Sequence, residues 1–172
     1  MISKPEKIIR RIIKAVGFGQ SVLVIGEWQE DLIKGIREKQ NIVEMQLIAS
    51  LLPENSFTRI IADYNSPIFN DKHSFFNEAR RLLLPTGVVI ISANCRDGIF
   101  EKIIKLFKKQ YIKEDNIKKI KPKTLQDQIH DNSFLIDGYY GYPGGHLLMM
   151  AQIINKEVTT LFTSEKQETM VN

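Results

Sequence analysis

Residues Ser56 to Ser92 read SFTRIIADYNSPIFNDKHSFFNEARRLLLPTGVVIIS. The β-branched pair Ile60-Ile61 closes an apolar run that ends in Ala62-Asp63-Tyr64-Asn65. A helical stretch follows Asn70-Asp71, with Phe75, Phe76, Ala79, Leu82 and Leu83 recurring on one stripe that should face a core. Leu84-Pro85-Thr86-Gly87 then forms a tight turn before a second apolar run, Val88 to Ile91. Strand, loop, helix, turn and strand make a βαβ unit. Such a unit implies a parallel sheet with a ligand crevice at the carboxyl ends of its strands.

Working outward, Ser21 to Ile25 (SVLVI) is a continuous apolar run, as expected of a strand buried on both faces. Gly26-Glu27-Trp28-Gln29-Glu30-Asp31 leads from it into a short helix around Leu32 to Lys39, and Asn41 to Leu47 reads as another strand. Upstream, Ser3-Lys4-Pro5-Glu6 has capping-box spacing. Ile8, Ile9, Ile12, Ile13 and Val16 follow at helical spacing, opposite Lys7, Arg10, Arg11 and Lys14. This amphipathic helix, over 1–17, is expected to cover one sheet face rather than lie on a membrane. Downstream, Gly98 to Gln110 repeats the amphipathic pattern, and the polar stretch Tyr111 to Asn132 gives no clear element. Ser133 to Ile136, the glycine-rich Asp137 to Gly145 and His146 to Asn155 read as strand, loop, strand, an antiparallel hairpin at the sheet edge. The expectation is a single domain over 1–163 with a polar, frayed tail from Ser164.

At 172 residues, 43% hydrophobic and 26% charged, the composition is that of a soluble globular chain. No apolar run approaches the roughly 20 residues that cross a bilayer, and a cytoplasmic location is expected. Cys95 is the only cysteine, which excludes an intramolecular disulfide framework and a multi-cysteine metal site. His73, His130 and His146 lack metal-ligand spacing, so no metal is expected. The net charge of +4 is uneven, with nine lysines between Lys102 and Lys123. Those basic faces could attract nucleic acid, but no aromatic residues are interleaved as an RNA-binding signature requires. A solvated surface is the plainer reading.

The segments also resemble the class I S-adenosylmethionine-dependent methyltransferase domain. Val22-Leu23-Val24-Ile25-Gly26 is similar to that family's first motif, and Leu52-Pro53-Glu54-Asn55-Ser56-Phe57 to its Leu-Pro turn into the fourth strand. Glu78-Ala79-Arg80-Arg81-Leu82-Leu83-Leu84-Pro85-Thr86-Gly87 is similar to its helix end and following turn, and the C-terminal strands to its terminal hairpin. The resemblance covers most of Ser21 to Asn155. It implies an α/β methyltransferase-like Rossmann three-layer sandwich, mostly parallel, with a C-terminal antiparallel hairpin and a shortened first half.

The same resemblance implies candidate cofactor contacts at Gly26, Glu27, Trp28, Glu44 and Ser50, and a catalytic or substrate-facing carboxylate at Asp63, with Tyr64 and Asn65 beside it. The first half departs from the pattern. Two glycine positions after Gly26 hold Trp28 and Glu30, where a side chain fills space and adds negative charge. Only one strand fits between the first helix and the Leu-Pro turn. With Ile42 to Leu47 as the third strand, the favoured register, the second strand is missing and Ile48 replaces the adenine-contacting Asp. With Ile42 to Glu44 as the second strand, Glu44 is the ribose carboxylate and the third strand is missing.

Each residue also has a structural reading. Asp63 caps its loop, Trp28 packs in a core, Cys95 is a packed thiol, and Tyr139, Tyr140 and Tyr142 belong to a hairpin loop. Two functions follow from the sequence. One is a degenerate methyltransferase fold that acts as a binding or assembly module, with a homodimer as the pairing that would cover the shortened sheet. The other is an active enzyme using S-adenosylmethionine in an atypical site.

Overall fold

The computed structural model describes residues 6–26, 28, 30–45, 52–66, 71–95, 120–142 and 145–154. The capping signal at Ser3, the helix expected over 98–110 and the tail from Ser164 lie outside them. Helices α1 (Glu6–Val16), α2 (Glu30–Arg37), α3 (Lys72–Leu82) and α4 (Pro122–Asp131) flank a six-stranded sheet. Its strands are β1 (Ser21–Ile25), β2 (Ile42–Met45), β3 (Phe57–Asp63), β4 (Leu83–Asn94), β5 (Phe134–Tyr142) and β6 (His146–Ile153). The order is β2-β1-β3-β4-β6-β5. β2, β1, β3 and β4 pair in parallel, and β6 joins β4 and β5 antiparallel.

Alternation along the buried strands sends side chains to two separate cores. Leu23, Ile25, Ile60, Ala62, Val89 and Ile91 meet Phe75, Phe76, Ala79 and Leu82 of α3 and Leu125 and Ile129 of α4. Val22, Val24, Ile61, Val88 and Ile90 meet Ile8, Ile9, Ile12 and Val16 of α1 and Leu32, Ile33 and Ile36 of α2. The apolar stripe of α1 is therefore spent on the sheet, as expected. Asn41 joins the ends of this layer. Its Oδ1 accepts from the Gln20 N–H at 2.6 Å, and its Nδ2 donates to the carbonyls of Gly17 at 3.1 Å and Ile36 at 2.9 Å.

The βαβ unit forms as read, with Asp71 capping α3 by accepting the Ser74 N–H at 3.0 Å. Arg81 locks the end of α3 to the turn before β3. Its guanidinium donates to the Leu52 carbonyl at 2.8 Å and pairs with both Glu78 carboxylate oxygens. Hydrogen bonding to Glu78 holds Arg81 above its ordinary pKa. Replacing Arg81 with Ala is expected to lower the unfolding free energy by about 1.5 kcal/mol, because charge-assisted bonds to a carbonyl and a carboxylate are lost together. Urea denaturation checks this, and Arg81→Lys should recover only part of the loss, since it cannot form the fork.

Four details differ from the sequence reading. β2 lies directly beside β1, where a doubly wound sheet places its second strand in the order 3-2-1-4-5-6. The favoured register, with the second strand missing, is thereby overturned: among the described residues it is the third strand's place that is unfilled. Next, β4 starts at Leu83, and pairing jumps from Phe57↔Leu83 to Arg59↔Val88, so Leu84 to Gly87 bulge out of the strand instead of preceding it. Pro85 has no N–H to give a ladder, which is why it sits in the excursion. The glycine-rich stretch expected as a loop is mostly strand β5, with its irregularity at Ile136/Gly138. Tyr140 and Tyr142 alternate onto the α1 face, and the Arg11 guanidinium lies 3.8 Å from the Tyr140 ring centre. Finally, α4 forms within the stretch that gave no clear element; Pro122 at its start and Leu125 and Ile129 at i, i+4 spacing are the signals that were there to use.

Candidate functional site

The parallel strands set the height of each candidate residue. Ile25 pairs with Ala62, and Asp63 with Ser92, so Gly26, Asp63 and Ser92 form one level at the carboxyl rim. Tyr64 extends that level by donating its N–H to the Ser92 carbonyl at 2.8 Å. The Tyr64 ring is buried on the α3 side, and its hydroxyl reaches Gln128 of α4 at 3.4 Å.

Asp63 stands at the switch point, and its Oδ1 accepts from the backbone N–H of Asn65 at 3.1 Å and from the Asn65 amide at 3.3 Å. With Ser66 N–H donating to the Asp63 carbonyl at 2.9 Å, this is a closed turn. The turn folds back over β1. Gly26 has φ +100°, and a β-carbon placed there would lie 3.2 Å from the Ser66 β-carbon and 3.5 Å from that of Asp63. Gly26 is thus required by backbone conformation and by the protein's own loop. Asn65 Oδ1 is buried with no hydrogen-bond partner.

Trp28 leaves the rim for the opposite layer. It is 6% exposed among the α1 and α2 side chains, and its indole N–H donates to the Ile25 carbonyl at 3.0 Å, satisfying the last acceptor of β1. On its outer side it lines an open groove of about 770 Å³ with Glu30, Ile33, Lys34, Arg37, Glu38 and Met45. Glu44 is exposed on β2, level with Leu23 and three residues below Gly26. That is about 10 Å at the rise of a strand. Glu27, Ile48 and Ser50 lie outside the described residues. The structure therefore brings Gly26 and Asp63 together and sets Trp28 and Glu44 apart from them.

Ser66 was not singled out by sequence reasoning, although Asp63-Tyr64-Asn65-Ser66 has the composition of an Asx turn. Cys95 is buried, bridged to Ile120, and its N–H donates to the Gly145 carbonyl. His73 Nδ1 is 3.0 Å from Asn132 Oδ1. Among the described residues no group of three or more His, Cys, Asp or Glu could hold a metal ion, and no helix is long and apolar enough to cross a membrane. Burial lowers the pKa of Arg59 and raises that of the Tyr142 phenol, both on the α1 face.

No protein-family model and no curated protein matches the chain. Solved structures do. The 1,6-didemethyltoxoflavin-N1-methyltransferase of Burkholderia thailandensis, solved with 1,6-didemethyltoxoflavin and S-adenosylhomocysteine, superposes with a TM-score of 0.64 and 13% identity over 87% of this chain and 78% of its own. A SAM-dependent methyltransferase from Aquifex aeolicus gives 0.59 and 14% over 87% and 94%, and one from Methanosarcina mazei gives 0.54 and 14% over 84% and 98%. Identities this low speak for the fold alone. The chain has a class I methyltransferase-like fold.

Proposed function

We propose that this chain is a methyltransferase-fold protein that does not bind S-adenosylmethionine in the usual way and serves as a cytoplasmic binding or assembly module. The observation that carries the reading is the contact of Ser66 with Gly26. Where a glycine cradles a ligand, the space in front of its α-carbon is left for that ligand. Here the loop after β3 occupies it. Two further observations lean the same way: Trp28 turns into the core instead of lining the rim, and Glu44 lies too low to reach a ribose at the rim. The residues described do not fit the cofactor's usual mode.

A second reading, an enzyme with an atypical cofactor site, has one observation behind it. The buried, unpartnered Asn65 Oδ1 beside Asp63 would accept a hydrogen bond from a ligand amine at the rim. Thermal unfolding with S-adenosylmethionine and S-adenosylhomocysteine separates the two. A ligand present at a hundred times its Kd adds about 2.7 kcal/mol, which raises the Tm of a chain this size by roughly 5–10 °C. The proposal expects no shift at millimolar ligand. A saturable rise with micromolar midpoint would replace it with the enzyme reading.

A further inference from the structure

Among the described residues the third-strand position is unfilled, and β2 is an edge. Its Ile42 side chain is 70% exposed on the α3 face and its Met45 side chain 51% exposed on the α2 face. Only Glu44 charges the strand, and its outer edge has no pairing among the described residues. Natural sheets rarely leave such an edge open, because its free N–H and C=O groups template another strand. We infer that this edge pairs antiparallel with the same edge of a second copy, giving a two-fold dimer with one continuous twelve-stranded sheet built from two six-stranded halves.

The backbone specifies the register. Ile42 donates its N–H inward to the Gln20 carbonyl, so the N–H and C=O of Val43 point outward, to the free edge. A two-fold axis normal to the sheet keeps each face on its own side, so residues of like facing must oppose each other and the axis must pass through a residue. Centred on Glu44, it would oppose two carboxylates. Centred on Val43, it lets Val43 and the partner's Val43 exchange both backbone hydrogen bonds and sets Ile42 against Glu44 of the partner subunit. Met45 also points outward but ends the strand, so outward polarity, like-charge avoidance and the bounds of β2 together select Val43.

The helix layer supplies the charge complementarity. α2 flanks the edge on the Met45 side and is acidic in its first turn (Glu30, Asp31) and basic in its last (Lys34, Arg37). The same two-fold brings α2 antiparallel to the partner's α2 over the joined strands, so Glu30 faces the partner's Arg37, twice. The groove lined by Trp28, Ile33 and Met45 closes between the two helices.

This dimer is independent of the cofactor question, and a positive or negative ligand titration leaves it untouched. Analytical ultracentrifugation of the full chain over a wide concentration range should give twice the 19.8 kDa chain mass. Val43→Pro removes the outward N–H without touching the β1 ladder, and should give monomer with unchanged circular dichroism. Should that variant not fold, a charge swap decides. Glu30→Arg should raise the dimer Kd about tenfold, and Glu30→Arg with Arg37→Glu should restore it. A wild-type chain that stays monomeric, or a double swap that fails to rescue, would overturn the proposal.

Discussion

Replacing Phe76 with Ala lowers the unfolding free energy by about 4 kcal/mol, the largest loss expected from a single substitution in this chain. Phe76 is 1% exposed, and its ring lies 5.1 Å from Phe75, edge to face, and 5.5 Å from Phe134. It therefore joins α3 to β5, elements 58 positions apart by these residues (134 − 76), across the β4–β6 part of the sheet. Truncation removes the transfer free energy of a phenyl ring and leaves a cavity between a helix and a sheet strand, so little of it can collapse. The Tm should fall by roughly 8–16 °C. A loss below about 1 kcal/mol in urea unfolding, with an unchanged m value, would mean that α3 does not pack here.

The second large effect comes from a polar residue. Asn41 is 7% exposed and makes three hydrogen bonds, to the Gln20 N–H and the Gly17 and Ile36 carbonyls. These tie the end of α1, the start of β1 and the end of α2 to the start of β2. Asn41→Ala leaves one donor and two acceptors without their partner, at about 1–3 kcal/mol for each group that water cannot reach. A loss of about 3 kcal/mol is expected, since some of the three regain solvent. The Gln20 amide should also exchange with deuterium much faster, while amides of β4 change only as far as global stability falls. Equal acceleration at both places would argue against a local role for Asn41.

The reach of the sequence differed between the two halves of the chain. The βαβ unit was legible because its signals agree: Phe75, Phe76 and Ala79 at helical spacing, Asp71 as cap, and apolar runs long enough only for strands. The hairpin was legible in kind but not in length, because its glycines suggested a loop while burial from Phe134 to Tyr142 alternates residue by residue in the period of a strand. The identity of β2 was not legible. Ile42 to Met45 carries the same residues whether it is a second or a third strand, and only its pairing with β1 decides.

At the site, Asp63 was legible as the end of a strand of the βαβ unit and Gly26 only through the resemblance of β1 to a first motif; that the two share one level comes from the pairing of β1 with β3. What the sequence left open was what faces Gly26. That depends on the path of Asn65 and Ser66, set by hydrogen bonds to Asp63 that have no periodicity to read. Trp28 was ambiguous for a related reason. One rotation separates an indole in a crevice from one in a core, and the acceptor that fixes it is a backbone carbonyl.

The closed rim is most directly tested by amide chemical shifts during a titration with S-adenosylhomocysteine. With Ser66 lying against Gly26, the Gly26, Asp63 and Ser66 resonances are predicted to stay in place up to millimolar ligand. Saturable movement of those three amides at micromolar concentration would contradict the account.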